Sequence, residues 1–169
     1  DAGFNQYPEE YNPPEENIFE NSALNGGFHE YFQLIVNSNF KNQFINTFAD
    51  LFNTSFKPEY LENVIDSLSQ VIYAEMPYHI DRWENTCSYC PSTWIGDGIN
   101  SMAEWNEELD RLYEFADIRY EVGWDNIIDE FGLGGIVEIN LIEQNNLGKI
   151  KLNSIIPDSY PWQGKYFIG

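Results

Sequence analysis

Basic residues are scarce in this chain. Its 169 residues include eight Lys and Arg against 28 Asp and Glu, which gives a formal net charge of −20 at pH 7. Such a chain repels the phosphates of nucleic acids and of anionic lipids, so neither is expected as a partner. The acidic surface favours solubility, cations and basic proteins. Hydrophobic residues still make up 43% of the chain, which is enough for a packed core and argues against global disorder.

Long apolar runs are also absent. No stretch approaches the ~20 consecutive apolar residues that span a bilayer, so no membrane span is expected. The opening Asp1-Ala2-Gly3-Phe4 has neither the basic start nor the apolar stretch of a signal peptide, and it contains no initiator Met. We therefore expect either a processed chain or a piece of a longer protein, and we favour the second because of a resemblance described below.

Cysteine and histidine are few. The two cysteines, Cys87 and Cys90, have the spacing C-x-x-C, and the histidines are His29 and His79. A zinc site normally takes four ligands and a second C-x-x-C is missing, and a thioredoxin-like motif would need a βαβ context that is missing too. The cysteines are expected to form a local disulfide or to remain two free thiols in a loop. The disulfide is favoured if the protein is secreted.

Common catalytic signatures are missing as well. There is no G-x-S-x-G motif. Gly132-x-Gly134-Gly135 follows a predicted helix and has no Lys placed to reach phosphate, so it is a poor phosphate loop. Adjacent carboxylates such as Glu107-Glu108 are typical of a solvated helix face rather than of a glycosidase pair.

The period of the apolar residues predicts a mainly helical chain. Residues 1–27 form an irregular, proline-containing opening, and residues 28–133 have helical periodicity. Caps are predicted at Asn39 for the second helix, at Asp97 or Asn100 for the helix that resumes near residue 99, and at Gly132 for the last one. The helices are expected at about 28–36, 40–52 and 58–76, in a short stretch after Pro77, and at 99–116 and 122–131.

Three side-chain environments follow from these helices. The polar face of the second helix carries Asp50 beside Asn42 and Asn46, so Asp50 is expected in solvent. The stripe from Leu61 to Met76 is expected to face the core. His79 is expected to be a partly buried residue without a catalytic role.

After Gly134-Gly135 the period changes to two. Residues 136–142 alternate, residues 145–148 indicate a turn, and residues 149–156 alternate again, which predicts a β-hairpin. Residues 160–169 are aromatic, strand-like and end in mid-pattern. An isolated small sheet is marginally stable, so these strands are expected to pack on the helices or on a further segment.

Several segments, taken in order, resemble the CotH (spore-coat protein H) kinase family. They are Asn39 to Glu59 (NFKNQFINTFADLFNTSFKPE), Glu75 to Trp83 (EMPYHIDRW), a helix with Trp105, Leu112, Phe115-Ala116 and Arg119, the helix end Phe131-Gly132-Leu133, and Tyr160 to Phe167 (YPWQGKYF). The resemblance covers residues 1–133 for the C-terminal part of a kinase-like domain. Residues 134–169 resemble the β extension of secreted multidomain members. The chain departs from the family at Tyr120, where Pro often follows the Arg, and by an insertion around Cys87–Cys90.

The resemblance implies an α+β fold, in which the mainly helical C-terminal part of an atypical protein-kinase-like fold is followed by a small antiparallel β segment. It implies that the full-length enzyme transfers the γ-phosphate of ATP to protein Ser or Thr with Mg²⁺ or Mn²⁺. Asp1-Ala2-Gly3-Phe4-Asn5 looks like the end of the family's Asp-x-Asp and Phe-Gly-like motif, which makes Asp1 the candidate metal ligand.

The remaining machinery of phosphoryl transfer is expected upstream of Asp1, because neither a nucleotide cradle nor a second catalytic Asp can be assigned here. The chain alone is therefore expected to be inactive and to bind no cofactor tightly. Its expected partners are a protein substrate or the missing N-terminal part of the same protein. The resemblance to secreted members implies a secreted or cell-surface bacterial protein, with a cytoplasmic one left open. The alternative is a non-catalytic extracellular structural or interaction module with vestigial kinase ancestry.

Overall fold

The computed structural model describes residues 14–17, 19, 29–83, 99–143 and 148–169. The fold is α+β, mainly helical with a small antiparallel sheet, as the sequence predicts. None of the described helices is both long enough and apolar enough to cross a membrane. The elements are α1 (His29–Leu34), α2 (Ser38–Phe52), α3 (Pro58–Tyr73), α4 (Met76–Trp83), α5 (Met102–Phe131), β1 (Gly135–Leu141) and β2 (Trp162–Ile168).

Asparagine and proline side chains define the starts of α2, α3 and α4. The Asn37 side chain accepts hydrogen bonds from the N–H groups of Asn39 (3.0 Å) and Phe40 (3.3 Å), so the N-cap of α2 is Asn37 and the predicted cap Asn39 is wrong. Pro58 opens α3, as predicted. The predicted interruption at Pro77 is also confirmed, because α3 ends at Tyr73 and Pro77 lies in the first turn of α4.

The start of α5 is capped by a serine. The Ser101 hydroxyl accepts a hydrogen bond from the Glu104 N–H (3.1 Å), and the Glu104 carboxylate accepts one from the Asn100 N–H (2.7 Å). This resembles a capping box, in which the N-cap side chain and the Glu side chain three residues later each accept a backbone N–H. Here the Glu104 carboxylate accepts from Asn100, the residue before the N-cap, instead of from the N-cap Ser101. The N-cap is therefore Ser101 rather than Asn100, and Asp97 lies outside the described residues.

One continuous helix replaces the two helices that were predicted between residues 99 and 131. A break was predicted between residues 116 and 122, but the helix continues through this stretch. Gly123 lies within the helix, and the ring of Phe52 packs against it. A Cβ at Gly123 would lie 2.6 Å from Cζ of Phe52. The predicted C-cap is confirmed: Gly132 has a φ of 62°, and the Leu133 N–H donates to the Ile128 carbonyl at 3.0 Å, which is the long bond of a Schellman motif.

We expect Gly123→Ala to destabilise the protein although it lies in a helix. Alanine improves helix propensity by about 1 kcal/mol, but overpacking a core costs about 1–3 kcal/mol, and Phe52 is buried against this position. Urea unfolding measures the net change. The cost should fall when Gly123→Ala is introduced into a Phe52→Leu background, and a net stabilisation by Gly123→Ala alone would contradict this packing.

The chain divides into two compact units. The first comprises Asp1–Glu16 and Pro58–Arg119, and the second comprises Asn17–Lys57 and Tyr120–Gly169. Residues 134–169 thus share a unit with α1 and α2. Where a kinase-like domain would end, at residue 133 or elsewhere, stays a prediction.

The second unit has an aromatic core between α2, the C-terminal part of α5 and β2. The ring of Trp124 lies 4.8 Å from that of Phe52 and 4.9 Å from that of Phe167, measured between centroids. The aromatic stripe of α2 therefore forms part of the core. The buried members are Phe19, Ile45, Ala49, Phe52, Trp124, Ile127 and Tyr166.

The sheet does not have the predicted partner strands. β1 pairs antiparallel with β2 over seven residues of each strand, so the predicted hairpin between β1 and residues 149–156 is wrong. In that segment Leu152 and Ile155 bond to each other, N–H to O at 2.9 Å in both directions, around a turn in which Asn153 has a φ of 49°. The segment turns back on itself, and the last segment of the chain pairs with β1 instead.

The first unit leaves most of α3 exposed. No residue of α3 is buried, and Leu68 and Val71, which were predicted to face a core, are 64% and 76% exposed. Met76 and Ile80 of α4 and Ala116 of α5 are buried in this unit.

Candidate functional site

The residues predicted to carry chemistry lie outside the described structure. This applies to the candidate metal ligand Asp1 and to Cys87 and Cys90, whose disulfide stays a prediction. His79 is described and is exposed on α4, so the expectation of a partly buried residue is wrong. The buried residues of the same helix are Met76 and Ile80.

The most connected polar side chain in the described structure is Asp50, near the C-terminus of α2. It is 6% exposed, although the sequence placed it on a solvated face. Its Oδ1 accepts a hydrogen bond from the Tyr166 hydroxyl (2.8 Å) and a longer one from the Asn153 amide (3.4 Å). Its Oδ2 accepts from the backbone N–H (2.9 Å) and the hydroxyl (2.5 Å) of Ser154.

The hydrogen bonds that Asp50 accepts give its side chain a structural role rather than a catalytic one. A carboxylate offers about four lone-pair directions, and here four donors occupy them. The group is therefore not free to accept a substrate proton or to bind a metal ion. It holds the turn at residues 153–154 and the strand β2 against α2.

Asn53, one turn further along, pairs with the backbone of β2. Its side-chain oxygen accepts from the Lys165 N–H (2.9 Å), while its Nδ2 donates to the carbonyls of Lys165 (2.6 Å) and Ala49 (2.8 Å). The amide thus satisfies both backbone groups of Lys165, as a neighbouring strand would. This closes the edge of β2 that faces α2.

Gly164 makes room for this contact. A Cβ at this position would lie 2.8 Å from Cζ3 of Trp162 and 2.9 Å from Oδ1 of Asn53. Only glycine lets the Trp162 ring fold back over β2 while Asn53 reaches Lys165. Four residues of the segment WQGKYF therefore contribute to its contact with α2. Gly164 leaves room for the Trp162 ring, the backbone of Lys165 bonds to Asn53, and the hydroxyl of Tyr166 bonds to Asp50.

A second polar contact lies in the first unit. One guanidinium nitrogen of Arg119 donates to the carbonyls of Pro14 (2.9 Å) and Glu16 (2.6 Å). Burial lowers the pKa of Arg119, and the charge of Glu16 acts in the opposite direction. Because an arginine stays protonated in proteins, the guanidinium holds the described end of the opening segment against α5 as a cation.

Comparison of the chain with models of known protein families identifies its relatives. The family model of CotH kinase proteins matches residues 8–122, more than half of the chain. The chain belongs to the CotH kinase family. No curated protein and no solved structure matches it significantly.

The CotH match includes only one partner of each hydrogen bond that joins α2 to β2 and to the turn at residues 153–154. Asp50 and Asn53 lie inside the matched range, whereas their partners Ser154, Lys165 and Tyr166 lie beyond it. The sequence did not reveal this site, because Asp50 follows the polar face of α2. A usable signal was that both residues lie in a segment that resembles the CotH family, while YPWQGKYF resembles a segment that follows the kinase.

The buried Tyr166 and the partly buried Tyr31 of this CotH chain predict a loss of stability at high pH. Burial and then the hydrogen bond to Asp50 raise the pKa of Tyr166, and burial followed by the charge of Glu130 raises the pKa of Tyr31. An unfolded tyrosine has a pKa of about 10, so the folded state favours the neutral form. The stabilisation is fully present below about pH 10 and is lost as the pH rises toward the folded values.

The pH dependence of unfolding tests this effect. The free energy of unfolding should fall above about pH 10, and Tyr166→Phe and Tyr31→Phe should each make that fall shallower, since each removes one shifted group. Chemical unfolding at several pH values between 7 and 11 gives the slope. An unchanged slope in both variants would contradict the assignment.

Proposed function

We propose that this chain is the helical C-terminal part of a CotH-type atypical protein kinase. The full-length enzyme would transfer the γ-phosphate of ATP to Ser or Thr of a protein substrate, with Mg²⁺ or Mn²⁺. The observation that carries the proposal is the CotH family match over residues 8–122. The order of the resembling segments supports it.

The metal ion of such a kinase has no candidate site among the described residues. Among them, no group of three or more His, Cys, Asp or Glu side chains is placed to hold a metal ion. The buried carboxylate of Asp50 has its oxygens occupied by protein donors. The metal ligand of the proposed kinase is therefore Asp1, and the other catalytic groups would lie in sequence upstream of it.

On this proposal the described chain acts as a scaffold. Arg119 fixes the carbonyls of Pro14 and Glu16, the first described residues after the candidate ligand Asp1. Asp50 and Asn53 fix β2 and the turn before it to α2. Their expected effect on phosphoryl transfer is indirect, through the stability of the fold.

A phosphorylation assay tests the proposal. The protein that contains this chain together with its upstream sequence is incubated with labelled ATP, Mg²⁺ or Mn²⁺ and a protein substrate. Asp1→Asn should reduce the rate by at least about 100-fold, because the metal neutralises charge on the transferring phosphate. Asp125→Asn, an exposed aspartate of α5, is the matched control and should leave the rate unchanged.

Each outcome of that assay has a separate meaning. Absence of transfer by the longer protein would favour a non-catalytic extracellular module with vestigial kinase ancestry. Transfer that survives Asp1→Asn would keep the kinase and overturn the assignment of Asp1.

Secretion or cell-surface location forms part of the same proposal, and Cys87 and Cys90 provide a check. A disulfide is expected in an oxidising compartment. Peptide mass after alkylation without reduction should show both cysteines unmodified. Alkylation of both thiols in protein isolated from its source would remove this support.

A further inference from the structure

The outer edge of β1 presents backbone groups that no described residue satisfies. Both backbone groups of Lys165 on β2 point away from β1, because they bond to Asn53. Lys165 lies opposite Glu138 in the register, so this is a non-hydrogen-bonded pair, and the N–H and C=O of Glu138 point outward. Hydrogen-bonded and non-hydrogen-bonded pairs alternate along an antiparallel ladder, so the backbone N–H and C=O groups of Ile136 and Asn140 also point outward.

These outward groups have no hydrogen-bond partner within the described residues. Among the described residues, the two edges of the sheet therefore differ: Asn53 of α2 occupies the edge of β2, whereas the edge of β1 is open. The open edge is also apolar, since Ile136 and Val137 are 36% and 44% exposed.

The edge lacks most of the devices that prevent strand addition. Natural edge strands are protected by shortness, proline, lysine or a covering element. β1 has seven residues and contains no proline or lysine. Its one charge is Glu138, at the middle of the strand.

The negative charge of Glu138 disfavours a second copy of this chain and favours a strand that carries a basic residue. If a second copy of this chain added antiparallel about a two-fold axis at the strand centre, the two Glu138 side chains would face each other, and like charges directly opposite are destabilising. Each copy also has a formal net charge of −20, which opposes association. A partner strand with a Lys or Arg opposite Glu138, in a protein that is not strongly acidic, avoids both repulsions.

We propose that the outer edge of β1 is a docking site for an extended strand of a partner protein that places a basic residue opposite Glu138. Recognition combines backbone hydrogen bonds to Ile136, Glu138 and Asn140, apolar contact with Ile136 and Val137, and the charge pair. This interaction goes beyond the kinase proposal and does not depend on it.

Binding of two synthetic peptides to the whole 169-residue chain tests the proposal. Both peptides are fluorescein-labelled octamers of alternating Val and Thr, one with a central Lys and one with a central Glu. The Lys peptide should bind about 3- to 10-fold more tightly, given the usual range of cross-strand charge pairs. Nuclear magnetic resonance should show the amide signals of Ile136, Glu138 and Asn140 among those that shift.

A charge reversal separates this site from a general attraction of cations. Glu138→Lys should invert the preference, so that the Glu peptide binds more tightly. Glu121→Lys makes the same change in net charge at an exposed position of α5 and should keep the wild-type preference. Three results would overturn the proposal: no binding at millimolar peptide, a preference that Glu138→Lys leaves unchanged, or a self-association of the chain that shifts the β1 amides.

Discussion

Asp50→Ala is expected to lower the free energy of unfolding by about 3–5 kcal/mol. The substitution leaves the buried Tyr166 hydroxyl without its acceptor, which costs about 1–3 kcal/mol. It also removes the hydrogen bonds from the exposed Ser154 to a carboxylate, and hydrogen bonds to charged groups contribute about 1.5–3 kcal/mol. It also opens a small space beneath the turn at residues 153–154. Thermal or urea unfolding measures the loss.

A matched aspartate shows whether the effect belongs to this site. Asp125→Ala, at an exposed position of α5, should change stability by less than about 0.5 kcal/mol. Tyr166→Phe alone should cost about 1–2 kcal/mol, and much less in the Asp50→Ala background, because the hydroxyl then has no acceptor to lose. Strictly additive costs for the two substitutions would contradict the bond between them.

Gly164→Ala is expected to be the most damaging of the glycine replacements. The new methyl group would meet Cη2 of Trp162 and would lie 2.8 Å from Cζ3 of the same ring and 2.9 Å from Oδ1 of Asn53, and neither neighbour can retreat without losing a contact. Trp162 packs against the core and Asn53 is bonded to Lys165. Overpacking of this kind costs about 1–3 kcal/mol and occasionally more.

Gly148→Ala provides the matched comparison for Gly164→Ala. Nothing lies within 4 Å of a Cβ at Gly148, so alanine there should be neutral or stabilise by up to about 1 kcal/mol through the unfolded chain. In a Trp162→Leu background the cost of Gly164→Ala should shrink. If both alanine variants unfold like the wild type, the close approach of Trp162 to β2 is wrong.

The helices were the part of the fold that the sequence predicted well. Proline positions and apolar periodicity are local signals, and they placed the starts of α3 and α4 and the end of α5 at Gly132. The break predicted between residues 116 and 122 is absent, because α5 is continuous. Gly123 has a tertiary role that local sequence does not report: the ring of Phe52, 71 positions earlier, packs against it.

The partner strand of β1 could not be predicted from alternation alone. Residues 149–156 alternate and residues 160–169 are aromatic and strand-like, so local patterns do not decide which segment pairs with β1. The choice depends on α2, where Asp50 binds the turn at Ser154 and Asn53 binds Lys165. These pairs are more than 100 residues apart in the sequence, so no local rule reports them.

The candidate sites divide in the same way. The CotH family assignment followed from the order of the resembling segments and is confirmed by the match to residues 8–122. The metal ligand Asp1 and the pair Cys87–Cys90 stay predictions, since they lie outside the described residues. Asp50 was missed because an aspartate on the polar face of an amphipathic helix is normally solvated, and only a distant tyrosine and serine change that.

The central structural claim is that β2, beyond the family match, and α2, within it, form one cooperative unit. Native-state hydrogen exchange of the 169-residue chain tests it most directly, because amides that open together exchange with the same free energy. We predict equal opening free energies for the most protected amides of α2 and β2, and an equal decrease in both when Asp50 is replaced by Ala. If β2 exchanges much faster than α2 in the wild type, and Asp50→Ala leaves the protection of α2 unchanged, the β segment is an independent appendage and α2 and β2 do not form one cooperative unit.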